Sequence, residues 1–126
     1  MPSQTTLQNG NPVIHPAVTL TNTALIERTA GDFRFYEDGI TPAVGRLIQA
    51  VDRERLTIAA ALGVRILSEP DLGVEQGYMT ESNYSTGSSK APGFLGIKAP
   101  DSAGLPLPHR GRWLHHGAVH RPRPAP

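Results

Sequence analysis

The sequence predicts a mainly α fold, an incomplete helical domain followed by a disordered C-terminal tail. Apolar residues recur at spacings of three and four over two long stretches, with helix-starting and helix-stopping residues at the ends. The last 25 residues then change character, with Arg, Pro, His and Gly but no acid. Residues 1–10 read as an irregular lead-in, 11–101 as the helical domain and 102–126 as the tail.

The stretch Asn11–Thr29 carries Val13, Ile14, Val18, Leu20, Ala24, Leu25 and Ile26 in a loose helical pattern. Asn11 suits a cap and Pro12 a first helical turn. Pro16 removes a backbone donor one turn later, which predicts a kink just after His15. Gly31–Ile40 is a connector whose Phe33, Phe35 and Tyr36 should pack against the helices, with Gly39 ending it. Thr41–Leu62 is the clearest helix. Thr41 caps it, Pro42 opens it, Val44, Leu47, Ile48, Val51, Arg55, Ile58 and Leu62 follow, and Gly63 stops it. Its charged run Asp52, Arg53, Glu54 and Arg55 reads as a solvated face. Leu67–Tyr78 adds a short helix bounded by Pro70 and Gly77, and Glu81–Gly96 reads as a flexible or substrate-covering polar loop.

A chain of 126 residues allows one domain. Its net charge of +1 conceals two unlike parts: residues 1–101 sum to −3 and the last 25 to +4. The absence of cysteine excludes disulfides, thiolate zinc sites and cysteine nucleophiles. No leader pattern opens the sequence, and no apolar run approaches the roughly 20 residues that span a bilayer. A soluble cytoplasmic protein with no membrane partner is the expectation.

Candidate chemistry begins with Asn11 and His15, four residues apart and hence on one helical face. An imidazole can give and take a proton near neutral pH, and an amide one turn away can hold its tautomer or bind a substrate oxygen. From spacing alone, a helical His with a capping Asn reads as structural. His109, His115, His116 and His120 show no fixed ligand spacing, so no metal is expected. Thr86–Lys90 lacks the spacing of a phosphate loop. The Arg-rich tail could contact phosphates, but with a lone Trp and no defined fold nucleic acid is not the expected partner.

The run Asn11-Pro12-Val13-Ile14-His15-Pro16, then Leu20, Asn22 and Ile26-Glu27, resembles the opening of the helical domain of octopine/nopaline-type opine dehydrogenases. The likeness continues through Gly31-Asp32-Phe33-Arg34-Phe35-Tyr36, Gly39-Ile40-Thr41-Pro42, Asp52-Arg53-Glu54-Arg55 and Ala61-Leu62-Gly63, and thins into Ile97-Lys98-Ala99-Pro100-Asp101. The resemblance implies an all-helical substrate domain of the 6-phosphogluconate-dehydrogenase C-terminal-like type. It implies an enzyme that joins a 2-oxo acid to an amino acid and reduces the imine with NADH or NADPH. It also implies His15 as the catalytic acid/base and Asn11 as its supporting or substrate-binding neighbour. The GDFRFY and GITP runs argue against ketopantoate- or 6-phosphogluconate-type relatives.

Two departures qualify this. No G-x-G-x-x-G follows a strand, so no cofactor is expected to bind this chain alone. The family's Arg-Tyr-x-x-Glu-Asp segment, whose Arg holds substrate carboxylate and whose Asp partners the histidine, is missing after Asp101. Ala103–Leu114 can, however, be encoded so that a one-base shift reads Leu-Asp-Tyr-Arg-Tyr-Leu-Thr-Glu-Asp-Val-Gly-Tyr, which contains that segment. The tail therefore reads as a shifted frame. The expectation is a truncated remnant, inactive alone, with exposed apolar surface. A split enzyme completed by a separate Rossmann-domain chain and a non-enzymatic helical interaction protein are the alternatives.

Overall fold

The computed structural model describes residues 2–103. Six α-helices follow in order: α1 Pro2–Gln8, α2 Asn11–Thr21, α3 Thr23–Thr29, α4 Pro42–Ala61, α5 Glu69–Glu75 and α6 Thr86–Ser89, then a single 3-10 turn at Pro92–Phe94. Among the described residues there is no strand, only an isolated antiparallel bridge between Arg34 and Lys98. The expected mainly α class is what the fold shows. The tail, its four histidines and the frame-shifted reading lie outside the described residues, apart from Ser102 and Ala103.

The longest helix, α4, forms where capping chemistry is strongest. Thr41 is extended, its side-chain oxygen accepts the Val44 amide at 3.3 Å, and Pro42 supplies a preset first turn. The far end is a Schellman closure. Gly63, at φ +72°, lets its own amide reach Ala60 O and the Val64 amide reach Ala59 O at 2.8 Å. Thr41→Ala is expected to lower stability by about 1 kcal/mol, read as a shift in urea midpoint at unchanged slope.

The core lies between α2 and α4. Val13, Ile14, Ala17 and Val18 of α2 meet Ile48 of α4, with Phe35, Tyr36 and Ile40 of the connector filling the space between. The aromatics are buried, as the sequence predicts. Two backbone bonds, Phe35 N to Ile97 O at 2.8 Å and Ala99 N to Phe33 O at 3.0 Å, staple this connector to the 97–99 segment.

Four expectations need correction. Residues 1–10 are not an irregular lead-in, because Pro2–Gln8 is helical and its end is pinned. Gln8 pairs with Leu67 through both its amide atoms, and the Arg55 guanidinium donates to Leu7 O. The stretch 11–29 is two helices rather than one bent at Pro16. Helix α2 continues through Pro16 and stops at Asn22, whose side chain donates to Val18 O at 2.8 Å and Gly39 O at 3.0 Å. With Thr21 and Thr23 also donating to carbonyls one turn back, side chains compete there with the helix backbone. The Asn11 side chain does not cap α2, since Gly10 stands at the cap and Asn9 Oδ1 accepts the Asn11 amide at 3.0 Å. Nor is Glu81–Gly96 an unstructured polar loop: Thr86–Ser89 is helical, Ser88 and Ala91 are buried, and Tyr84 reaches into the interior.

The charged run of α4 is a fifth and larger correction. Asp52 is 0% exposed and Arg55 is 9% exposed, while the apolar Ile58 and Leu62 are 52% and 60% exposed. Asp52 and Arg55 are partnered by groups far along the chain. Asp52 Oδ1 accepts Arg55 Nε at 2.7 Å. Its Oδ2 accepts both the Glu69 amide at 2.8 Å and the Tyr84 hydroxyl at 2.6 Å. Arg55 also donates to Leu67 O at 2.9 Å. A fully satisfied pair of this kind tolerates burial that an unpaired charge would not.

Candidate functional site

A cleft of about 570 Å³ opens between the start of α2, the start of α5 and the Tyr78–Phe94 region. Gly10, Asn11 and His15 line it from one side, Tyr36 and Phe94 from another, and Glu69 from a third. The helix geometry explains the first group. Residues four apart on α2 share a face, so Asn11 and His15 open onto the same concavity, as the sequence predicts. The ring of His15 is not turned away into bulk water.

The His15 ring is held by aromatic neighbours. Its Nε2 lies 3.0 Å from the Tyr36 hydroxyl, and Phe35 meets the ring edge-on at 6.1 Å between centroids. Tyr36 in turn stacks on Phe94 at 4.4 Å, which fixes the phenol. Burial lowers the His15 pKa, which favours the neutral ring. Burial and the negative charge of Glu69 push the Tyr36 phenol up to about 12, so it keeps its proton. A neutral imidazole beside a protonated phenol can accept or donate a hydrogen at Nε2 according to its tautomer.

Glu69 is the residue that sequence reasoning missed. It stands in the first turn of α5, where an acid after the capping Ser68 reads as ordinary helix-start chemistry. In the fold it is 8% exposed, its side chain packed where Gly10 leaves room: a Cβ at Gly10 would lie 2.9 Å from Glu69 Cγ. Desolvation, then repulsion from Asp52, raise its pKa to about 7 against a smaller opposing effect of Arg55. Tyr36 was assigned by sequence to packing alone, and nothing in the spacing from residue 15 to residue 36 announces their contact.

The Glu69 shift has a direct consequence for stability. A carboxyl whose folded pKa lies above its unfolded value favours the fold while protonated, and loses that contribution as pH rises through about 4.5 to 7. Above that window ionisation opposes folding by about 3 kcal/mol. Glu69→Gln is therefore expected to be more stable than the parent at pH 8 and equal to it near pH 4.5. Urea unfolding at the two pH values checks this, and an equal difference at both would refute it.

Among the described residues no group of three or more His, Asp or Glu is placed to hold a metal ion. Among the described residues no helix is long and apolar enough to cross a membrane. A pyrophosphate cradle needs a glycine-rich turn between strand and helix, and the described residues contain no strand to begin one.

Comparison with known proteins adds what the geometry does not say. The family described as NAD/NADP octopine/nopaline dehydrogenase, alpha-helical domain, matches residues 2–119. An opine dehydrogenase from Arthrobacter sp. (strain 1C) is 35% identical over 96 residues, covering 76% of this chain and 26% of that protein. The chain thus spans about a quarter of the length of that curated relative. With the sequence motifs and the helical architecture in agreement with these matches, the chain belongs to the NAD/NADP octopine/nopaline dehydrogenase family, within its alpha-helical domain.

Proposed function

We propose that this chain supplies the proton-handling wall of an opine dehydrogenase active site, in which a 2-oxo acid and the amino group of an amino acid form an imine that is reduced. The observation that carries the reading is the His15 ring in a cleft shared with Asn11, its Nε2 3.0 Å from Tyr36. A carbonyl oxygen or imine nitrogen facing that ring would be polarised by its N–H or receive a proton from its imidazolium form, and the loss of water from the carbinolamine needs the same proton. Asn11, one turn earlier on the same face, suits the oxygen of a bound carboxylate or carbonyl.

The dinucleotide-binding portion is supplied elsewhere, either in the same polypeptide or as a separate chain. Purified alone, the 126-residue chain is expected to show no oxidation of NADH or NADPH with pyruvate and a mixture of amino acids. Turnover is expected once a nucleotide-binding domain of the family is co-expressed with it. Turnover by the chain alone would refute the division of labour. A folded, associated pair without activity would refute the enzymatic reading.

A further inference from the structure

The cleft contains a buried carboxyl that the His15 chemistry does not use. Glu69 is 8% exposed and lines the same concavity as Asn11, His15 and Tyr36. Its backbone amide serves Asp52, but among the described residues no hydrogen bond reaches its carboxyl oxygens. The cation nearest to it in the interior is already engaged: Arg55 gives Nε to Asp52 and its terminal nitrogens to Leu7 O and Leu67 O. The buried cluster therefore holds two carboxyls and one guanidinium, and the second carboxyl faces the open volume. A buried acceptor without a donor is costly unless something enters to satisfy it.

From this geometry we infer that Glu69 is the subsite for a primary ammonium group, taking the amino nitrogen of the amino-acid reactant at the end of the cleft bounded by Gly10 and α5. The inference rests on the imine-forming reading of the cleft and assigns one reactant to a place within it. A primary ammonium fits on three counts. It carries three donors for an acceptor that has none, it neutralises the excess carboxylate, and it can be placed beside the neutral His15 without charge repulsion. An anionic ligand would meet the opposite conditions, so the carboxylate of either reactant is excluded from this end. The charged or titrating groups around Glu69 are Asp52 and Arg55 of α4, Tyr84, Tyr36 and, across the cleft, His15.

The test uses the full chain, ¹³C-labelled at Glu carboxyls, titrated by NMR with L-alanine and, separately, N-acetyl-L-alanine. Saturating L-alanine is expected to lower the Glu69 midpoint by a unit or more, about tenfold. N-acetyl-L-alanine, which lacks the ammonium, should leave it in place. The affinity for L-alanine should correspondingly rise roughly tenfold from pH 6 to pH 8, and Glu69→Gln should abolish that rise. A Glu69 midpoint equally moved by both compounds, or moved by neither at concentrations that shift other cleft resonances, would overturn the assignment. Because the native chain carries the measurement, misfolding of the variant would not obscure the answer. In the reconstituted enzyme, Glu69→Gln should raise the KM for amino acid while leaving that for pyruvate. Equal KM values for amino acid with turnover intact would sink the subsite and leave the enzymatic reading standing. An ammonium-specific shift without turnover in the folded pair would do the reverse.

Discussion

Asp52→Ala is expected to lower folding stability by about 3–5 kcal/mol, enough to leave a marginal domain largely unfolded at 25 °C. The size follows from what the side chain holds. One carboxylate accepts Arg55 Nε at 2.7 Å, the Glu69 amide at 2.8 Å and the Tyr84 hydroxyl at 2.6 Å. Its removal leaves a nearly buried guanidinium without its counter-charge and two further donors without an acceptor. Those donors belong to the start of α5 and to the segment before α6, so the loss spreads beyond α4. Asp52→Asn keeps the shape but not the charge, and should recover part of the deficit. Urea unfolding followed by circular dichroism would give the difference. A loss below about 1 kcal/mol for the Ala variant would mean that the network contributes little net stability. Replacing Asp52 and Arg55 together by apolar residues of matched volume should cost less than Asp52→Ala alone.

His15→Ala, assayed in the enzyme completed with a nucleotide-binding domain, is expected to reduce kcat by about 10²–10⁴-fold. The fold should survive, because the ring is only partly buried and the α2 core is carried by Val13, Ile14, Ala17 and Val18. The pH profile separates this role from simple packing. A proton donor must itself be protonated, and burial lowers the His15 pKa, so activity of the parent should fall with rising pH earlier than a solvent-exposed imidazole would dictate, and the variant should lose that limb. Tyr36→Phe removes the partner of Nε2 while keeping the aromatic stack. It should reduce kcat less than His15→Ala and move the limb. An unaltered profile in both variants would place the proton transfer elsewhere.

How much of this was legible in the sequence differs by element. Helix α4 announces itself because its start and stop signals are local: Thr41 and Pro42 act within one turn and Gly63 within two residues. Helix α1 carries no such signal. Its end is held by Gln8 and Leu7 contacting residues 55 and 67, which no window of ten residues contains. The run Asp52-Arg53-Glu54-Arg55 misleads for the same reason. A charged tetrad on a helix is normally solvated, and only Leu67, Glu69 and Tyr84, all distant in the chain, make burial of two of its members affordable.

The candidate site divides in the same way. Asn11 and His15 are visible as a helical pair and gain meaning through resemblance to a family. Tyr36 and Glu69 are brought to the cleft by tertiary packing, and each has a plausible local duty that conceals the other one. Periodicity also misplaced the apolar side of α4. Leu47, Val51, Ile58 and Leu62 follow helical spacing yet stay at least 39% exposed, because the inward positions are taken by Ile48, Asp52, Arg55 and Ala59.

The phenol that meets the His15 ring rides on a peptide fastened across the molecule by the pairing of 33–35 with 97–99. A protease cut ahead of Ile97 would unlatch that peptide and leave the imidazole chemically intact but mechanically unsupported. Limited digestion should therefore silence a completed enzyme well before the helices themselves melt, and a ring-proton resonance of His15 would broaden as the first sign.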